Sequence, residues 1–357
     1  MDVALPARHV SFSVAIEQPS GVGEVRRVAL DLAEALHFNA PEIDRAVQVV
    51  SEAATNILKH ARRGEILLRA SAPEAPPSLE ILALDQGPGM GNVANALRDG
   101  FSTSGSPGLG LGAIARISNF FEISSAPNKG TALVARIDAN APGRPLQNDP
   151  NLPGLEWGVV CVPKPGEEVC GDAWAVKAGA ARDSVLLVDG LGHGIPASEA
   201  AGQALHAFER CAGERPETSL KILHEAMSQT RGAVAAIAEI DWRERTFRYA
   251  GAGNIAASLV PVKGAAYNMV SHNGTVGKQV SRFQEFSYPW PEQGLLILSS
   301  DGLSTQWTLE PYPGLSRKHP SLIAGVLYRD FASRRDDVVV LVARERERIK
   351  AKEGGAI

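Results

Sequence analysis

The sequence predicts an α+β fold in two domains, and three observations support this. The chain has 357 residues, which is more than one compact core usually holds. Helical periodicities alternate with short apolar runs typical of strands. Residues 139–153, ANAPGRPLQNDPNLP, are rich in proline and small polar residues and predict an extended linker between the domains. We therefore expect domains at residues 1–138 and 154–345, followed by a charged tail at 346–357.

In the N-terminal domain, two helices precede a group of strands. Apolar residues from Val22 to Leu36 fall on one helical face, and a second helix begins at Pro41, a residue favoured at helix starts. Strands are predicted at residues 65–70, 79–84, 120–124 and 131–137. This pattern indicates an α/β sandwich with helices on one face of a mixed sheet, with an antiparallel sheet as the alternative.

The C-terminal domain is richer in strands. Apolar runs bounded by Gly, Pro, Asp or Asn predict strands at LEWGVVCV, DAWAVKA, SVLLVD, AVAAIAEI, TFRYAG, LLILSSD and DVVVLVA. Helical patterns fall near residues 196–212, 217–230 and 320–332. Many strands with few helices predict an α-β-β-α sandwich, in which two sheets pack together and the helices lie outside.

Composition and charge argue against several classes of protein. The net charge of −4 disfavours binding to nucleic acids or to anionic membranes. No apolar run approaches the roughly 20 residues that span a bilayer. Cys161, Cys170 and Cys211 have no CxxC spacing, so neither a disulfide framework nor a zinc site is expected. These features predict a cytoplasmic protein.

Three segments of the N-terminal domain predict a nucleotide site. Glu52 and Asn56 are four residues apart on the second helix, so both leave one face, although a solvated polar pair is the simpler alternative. A carboxylate and an amide there suit proton removal and cation binding. Asp85 ends a strand and can accept a hydrogen bond from an amine such as that of adenine. The segment STSGSPGLGLG leads into a helix whose N–H groups can hold phosphates.

The segments SEAATNILKHA, DQGPGMGN, GLGLGAIAR and NKGTAL, in this order, resemble the nucleotide-binding fold shared by gyrases, sensor histidine kinases and anti-sigma kinases. The resemblance is strongest to the branch of the stressosome switch serine kinase. It implies ATP with Mg²⁺ as the cofactor, Glu52 as general base, Asn56 as Mg²⁺ ligand and Asp85 as the carboxylate that reads adenine. It also implies a pocket and lid shaped by Gly87, Gly89, Gly108, Gly110, Gly112 and Thr131.

Aspartates at strand ends predict a metal centre in the C-terminal domain. Asp189 and Asp301 close apolar strands, Asp172 begins another, and Asp336 precedes the last. Carboxylates gathered at one place repel one another unless cations neutralise them, and oxygen ligands favour Mg²⁺ or Mn²⁺ over zinc. For any single aspartate a turn or helix-cap role is the simpler alternative. The combination of GD, DGLGHG, SDG and DD is hard to produce by chance.

This order of motifs resembles the metal-dependent serine/threonine phosphatases, in the SpoIIE-like branch that includes the stressosome feedback phosphatase. The resemblance extends from about Leu155 to Arg344. It implies two Mg²⁺ or Mn²⁺ ions, with ligands from Asp172, Asp189, the Gly190 carbonyl, Asp301 and Asp336.

Three further residues near these motifs receive lesser roles. Asp337 ranks below Asp336, because the family's residue at that position usually binds no metal. His193 is expected to shape its turn rather than act as a general acid, and Asn254 to fix a loop. The sequence offers no clear arginine for the substrate phosphate.

Together the resemblances imply a bifunctional regulator of bacterial partner switching, with a serine/threonine kinase domain and a phosphoserine/phosphothreonine phosphatase domain. The expected partners are STAS-domain proteins, with a sigma-factor pathway as a further link, and neither nucleic acid nor membrane. Two alternatives stay open. The ATP domain could serve only as a nucleotide sensor or docking module, or the whole chain could be a non-enzymatic module that sequesters a sigma factor.

Overall fold

The computed structural model describes residues 10–71, 76–97, 110–139, 154–211 and 213–346. We call residues 10–139 the N-terminal part and residues 154–346 the C-terminal part. The predicted linker, apart from Ala139, and the predicted tail, apart from Arg346, lie outside the described residues, so the domain boundaries remain predictions. Within the described ranges, no helix has the length and apolar character needed to cross a membrane.

The N-terminal part contains one five-stranded sheet in the order β1-β2-β3-β5-β4. Its strands are β1 (Phe12–Ile16), β2 (Gly64–Ala70), β3 (Ser78–Asp85), β4 (Phe120–Ser125) and β5 (Thr131–Asp138). Every pairing in this sheet is antiparallel, so of the two expected arrangements the antiparallel sheet is correct and the mixed sheet is not. β5 lies between β3 and β4 and pairs antiparallel with both.

Helices cover one face of this sheet. They are α1 (Pro19–Ala35), α2 (Ala40–Asn56), α3 (Val93–Ala96) and α4 (Gly110–Ile117). The start of α2 is fixed by Asn39, whose side chain accepts the Glu42 N–H while the Glu42 carboxylate accepts the Asn39 N–H. The apolar stripes of α1 and α2 pack on alternate side chains of β3, such as Ile81, and of β5. Burial of these stripes fixes the helices on the sheet.

The C-terminal part contains two antiparallel five-stranded sheets packed face to face, which confirms the predicted α+β class. One sheet has the order β13-β10-β9-β8-β7 and the other β12-β11-β14-β15-β6. The strands of the first are β7 (Asp172–Ala178), β8 (Arg182–Gly190), β9 (Ala233–Asp241), β10 (Thr246–Ala252) and β13 (Phe286–Pro289). Those of the second are β6 (Leu155–Val162), β11 (Ala256–Val260), β12 (Tyr267–Asn268), β14 (Leu295–Ser299) and β15 (Val338–Glu345).

Three helices lie outside the two sheets of the C-terminal part: α5 (Ile195–Cys211), α6 (Pro216–Ala226) and α7 (Pro320–Phe331). Helices α5 and α6 cover the first sheet. Helix α7 contacts β6 and β15 on one side and β3, β4 and β5 of the N-terminal part on the other. A Cβ atom on Gly325 of α7 would lie 2.7 Å from the Leu82 side chain in β3. Helix α7 is thus buried between sheets of both parts.

Candidate nucleotide and metal sites

The end of α2 carries the first pair of candidate residues. Glu52 and Asn56 are both half-buried, while Val49, Val50 and Ala53 turn towards the core. The helix continues into one π-helical turn, a local widening that often marks functional sites. The Asn56 Nδ2 atom is buried and has no hydrogen-bond partner within the part of the chain that the structure describes. This NH₂ group is a donor, so it fits a ligand that offers an acceptor, such as a phosphate oxygen, while the amide oxygen is the atom that can bind the predicted Mg²⁺.

The carboxyl group of Asp85 is held at the end of β3. Its Oδ1 atom accepts the N–H of Gly87 at 2.8 Å and the N–H of Thr131 at 3.2 Å. Burial raises the pKa of Asp85, and these two hydrogen bonds partly oppose the shift. Two backbone donors from different segments therefore fix the orientation of this side chain.

Glycines let the chain pass closely around Asp85. Gly89 has a φ of +67°, and a Cβ atom there would lie 2.0 Å from the carbonyl oxygen of Ala126. A Cβ on Gly87 would lie 2.7 Å from the Cβ of Ala61, at the end of the π-helical turn. These close approaches bring the end of α2, the end of β3 and the loop after it to one edge of the sheet.

The remaining predicted residues of this site are the lid glycines and Thr131 at the start of β5. Gly110 begins α4, and a Cβ on it would lie 3.9 Å from Asn56 Oδ1, so α4 starts beside the α2 pair. Gly112 is half-buried in the first turn of α4. Gly108 lies outside the described residues. The Thr131 hydroxyl lies 3.2 Å from that of Ser125, at the other side of Asp85.

The second candidate site begins where β7 meets β8. Asp172 and Asp189 face each other in the register of these strands. Burial, followed by repulsion from Asp301, Asp336 and Asp337, raises the pKa of Asp189 to about 7. Burial and repulsion from Asp189 likewise raise the pKa of Asp172 well above its usual range. The structure therefore gathers the predicted carboxylates within electrostatic reach of one another.

Loops hold the other candidates around this pair. The Asn254 amide donates to Asp301 Oδ2 at 3.0 Å. Asp336 is exposed, and its Oδ1 accepts the N–H of Asp337 at 3.0 Å. Asp337 is buried and accepts the N–H groups of Lys164 at 2.8 Å and Gly171 at 3.0 Å. Its carboxylate therefore fastens the loop that leads to β7.

Gly190, at the end of β8, packs closely against two other segments of the C-terminal part. Its N–H donates to the Gly171 carbonyl at 3.0 Å, and a Cβ on it would lie 2.4 Å from the carbonyl oxygen of Ala197. Gly190 therefore joins the end of β8 to the loop before β7 and to the start of α5. Its carbonyl remains a predicted ligand.

The donor set fits a divalent cation, although it does not form a complete cage. Within the described ranges, no three Asp, Glu, His or Cys side chains are arranged to hold one ion together. The Asp172 Oδ2 atom, however, is buried and has no hydrogen-bond partner among the described residues. A buried carboxylate oxygen without a donor, beside the half-buried carboxylate of Asp189, is stabilised by a cation that also takes carbonyl or water ligands.

His193 lies in the glycine-rich turn after β8. Its Nδ1 atom is 2.6 Å from Glu167 Oε1, and its side chain is about half exposed, at 49%. Gly192 and Gly194 on either side have φ values of +83° and +71°. The contact with Glu167 ties this turn to the loop before β7.

Two arginines near the candidate sites were missed by sequence reasoning. A Cβ atom on Gly192 would lie 2.8 Å from Arg231 Nη1, which places this guanidinium beside the turn after β8. Arg329 of α7 donates to the carbonyl of Asp85 at 2.8 Å. Neither residue belongs to a motif. The position of Arg231 just before the apolar strand β9 is the one sequence feature that could have indicated a role for it. No such feature marks Arg329.

Comparisons with known families divide the chain in the same way as the two candidate sites. Residues 17–137 match the family described as histidine kinase-like ATPase domain, and residues 180–346 match the family of stage II sporulation protein E (SpoIIE). The serine/threonine-protein kinase RsbT of Bacillus subtilis (strain 168) is 34% identical over 110 residues, which are 31% of this chain and 83% of RsbT.

The phosphoserine phosphatase RsbX of the same organism is 27% identical over 141 residues, which are 40% of this chain and 71% of RsbX. A solved structure described as "The bacterial stressosome: a modular system that has been adapted to control secondary messenger signaling" is 28% identical with a TM-score of 0.50. The similarity covers 54% of this chain and 100% of the chain in that structure. The chain therefore belongs to the histidine kinase-like ATPase family through an N-terminal domain similar to RsbT, and its residues 180–346 are similar to the SpoIIE family and to RsbX.

Proposed function

We propose that this chain carries two opposed enzymatic activities. The N-terminal domain transfers phosphate from Mg²⁺-ATP to serine or threonine of a protein, and the C-terminal domain hydrolyses phosphoserine or phosphothreonine with the help of Mg²⁺ or Mn²⁺. The observation that carries the phosphatase proposal is a pair of carboxylates, buried Asp172 and half-buried Asp189, that face each other across β7 and β8.

The residues of the C-terminal domain have distinct roles in this proposal. Asp172, Asp189, Asp301, Asp336 and the Gly190 carbonyl would hold the metal ions. When bound, divalent ions would activate water and neutralise the oxygens of the phosphoryl group. Asn254 orients the Asp301 carboxylate through its amide, and the backbone contacts of Asp337 keep the loop before β7 in place.

The residues of the N-terminal domain divide the work of phosphate transfer. Glu52 would accept the proton of the attacking hydroxyl, and Asn56 would bind Mg²⁺ through its amide oxygen, which lies beside the start of α4. Asp85 would accept the adenine amine, since two backbone N–H groups hold its carboxyl in a fixed orientation. The N–H groups at the start of α4 would bind phosphate.

The proposed protein substrate is a STAS-domain regulator in the cytoplasm, within a pathway that controls a sigma factor. The support is the similarity of the two domains to RsbT and RsbX, a kinase and a phosphoserine phosphatase of one organism. Two activities joined in one chain would act on a shared partner at high effective concentration.

The test uses the full chain with Asp189→Asn, so that any phosphoprotein formed is preserved. Incubation with labelled ATP and candidate STAS-domain proteins should label serine or threonine, and the same protein with Glu52→Ala added should not. The unsubstituted chain with Mn²⁺ should then release this phosphate. Absence of labelling would favour the alternative in which the ATP domain only senses nucleotide. A stable complex with a sigma factor, without phosphate release, would favour the sequestering module.

A further inference from the structure

A buried arginine of the phosphatase domain reaches the wall of the candidate nucleotide site. The Arg329 side chain on α7 is only 6% exposed. Its Nη1 atom donates to the carbonyl oxygens of Asp85 at 2.8 Å and Thr131 at 3.3 Å, and its Nη2 atom donates to that of Lys129 at 2.9 Å. One guanidinium thus joins the end of β3 to the start of β5.

The neighbouring residue fixes the position of this guanidinium. Asp330 accepts from Arg329 Nε at 2.9 Å and from Nη2 at 2.6 Å. Asp330 is itself held by Tyr312, whose hydroxyl donates at 2.7 Å, and by the Gln86 amide at 3.2 Å. Gln86 directly follows Asp85. A two-point contact between guanidinium and carboxylate restricts the orientation of both groups, so the donors of Arg329 are preorganised.

Of the three carbonyls that Arg329 binds, one belongs to Asp85 itself and one to Thr131, which helps to orient the Asp85 carboxyl. The Thr131 N–H donates to Asp85 Oδ1, while the Thr131 carbonyl accepts from Arg329. The Asp85 backbone is held by the same nitrogen of Arg329. Both the carboxylate and the donor that aims it are therefore anchored to α7.

A second arginine that links the two domains makes no such contact. Arg334 donates to Glu65 Oε2 at 2.8 Å and to the Tyr328 hydroxyl at 3.2 Å. Glu65 pairs with Leu84, the residue before Asp85, so its side chain leaves the opposite face of the sheet from that of Asp85. Its carboxylate is bonded to Ser13, Tyr328 and Arg334 and not to the Asp85 carboxyl or to Thr131. Arg334 thus serves as an internal control for the general effect of breaking a contact between the domains.

We propose that Arg329 is a positioning residue of the nucleotide site, supplied by the phosphatase domain, which holds Asp85 where it can accept the adenine amine. This rests on the proposed function of Asp85 in binding ATP. Without the guanidinium, the carbonyl oxygens of Asp85, Thr131 and Lys129 lose a charged hydrogen-bond donor that is largely buried. The two strand ends can then move apart, and the carboxylate loses its alignment with the base.

The experiment compares the affinities of the full chain for ATP and ITP, which carries an oxygen in place of the adenine amine. We expect the unsubstituted protein to prefer ATP by about tenfold or more, because one hydrogen bond to a carboxylate distinguishes the two nucleotides. Asp85→Asn should remove this preference. Arg329→Met should lower it at least about threefold, Arg329→Lys should restore part of it, and Arg334→Met should leave it unchanged.

The outcomes separate this inference from the proposed function. If Asp85→Asn keeps the preference for ATP, Asp85 does not read adenine and the nucleotide site itself is misassigned. Suppose that Asp85→Asn removes the preference for ATP. The positioning role is then refuted if Arg329→Met lowers the affinities for ATP and ITP by the same factor, or if it changes neither affinity. Thermal unfolding followed by circular dichroism identifies a variant that fails to fold. If Arg329→Met fails to fold, the test relies on Arg329→Lys. A ratio of ATP affinity to ITP affinity in Arg329→Lys that equals the ratio in the unsubstituted protein overturns the proposal.

Discussion

Replacement of Asp189 by asparagine tests whether the proposed metal centre is electrostatically strained. Asp189 ends β8 opposite Asp172, and burial with neighbouring carboxylates raises its pKa from an ordinary 3.8 to about 7. The folded protein therefore binds a proton at this site more tightly than the unfolded chain. Its contribution to stability is fully present below about pH 4 and is lost as the pH rises through 7.

The size of this effect follows from the shift. A rise of about three pKa units corresponds to about 4 kcal/mol at 1.36 kcal/mol per unit. Asp172 and Asp189 share the same repulsion and Asp189 is partly solvated, so we take about half of that value, ~2 kcal/mol. In the presence of EDTA at pH 8, Asp189→Asn should be more stable than the unsubstituted protein by this amount. The asparagine amide can also donate to Asp172.

Urea unfolding in EDTA at pH 8 and pH 4 measures the effect. The advantage of Asp189→Asn should vanish at pH 4, and excess Mn²⁺ should stabilise the unsubstituted protein more than the variant. Asp31→Asn, on the exposed face of α1, controls for the loss of one negative charge. The reasoning is refuted if Asp189→Asn is no more stable than the unsubstituted chain at pH 8, or if its advantage persists unchanged at pH 4.

Four further single substitutions test the nucleotide site and the packing. In ATP titrations, Glu52→Ala should keep nucleotide affinity while losing phosphate transfer, whereas Asn56→Ala should weaken Mg²⁺-ATP binding about tenfold. In urea unfolding, Arg248→Met should cost about 3–5 kcal/mol, because Glu239 is fully buried and bonded to Arg248 at 2.8 Å. Adding Glu239→Gln should recover most of this loss. Gly158→Ala should cost about 2 kcal/mol or more, since its Cβ would lie 2.0 Å from a backbone nitrogen in the first turn of α7.

Each of these expectations has a contradicting result. Normal transfer by Glu52→Ala would exclude it as the base, and normal Mg²⁺-ATP affinity in Asn56→Ala would exclude that residue as the Mg²⁺ ligand. If Arg248→Met unfolded at the same urea concentration as the unsubstituted chain, the ion pair would contribute nothing. A fully stable Gly158→Ala would show that α7 can move away from β6.

Most of the strands that the sequence predicts have long buried apolar runs. β9 is buried along its whole length, and its apolar run is visible in the sequence. The sequence reasoning missed β1, β12 and β13, which are edge strands of two to five residues with exposed side chains, and also β11, a five-residue strand inside its sheet. β1 forms because it pairs with β2, about fifty residues later, and such long-range pairing leaves no local pattern.

The candidate sites were predictable to the extent that their residues end regular elements. The position of Asp189 at the end of an apolar run, with Asp172 at the start of another, indicates a common sheet edge, and the structure pairs them. Arg329 could not be predicted in this way. It meets Asp85 across 244 residues of sequence, and its partners are backbone carbonyls, which have the same chemistry at every residue.

Two opposed activities in one chain need a means of keeping them from running together, because simultaneous action on one partner would only consume ATP. Helix α7 is in contact with both sites. Its Arg329 holds the Asp85 wall, while the N–H of Ser304 donates to the Phe331 carbonyl and that of Ser333 to the Gly302 carbonyl, beside Asp301. A nucleotide that tightens the wall should therefore change phosphatase activity, and the coupling in binding must be reciprocal. We expect a non-hydrolysable ATP analogue to shift the substrate KM for Mn²⁺-dependent phosphate release in the unsubstituted chain but not in Arg329→Met. An equal shift in both proteins would show that the coupling does not pass through α7.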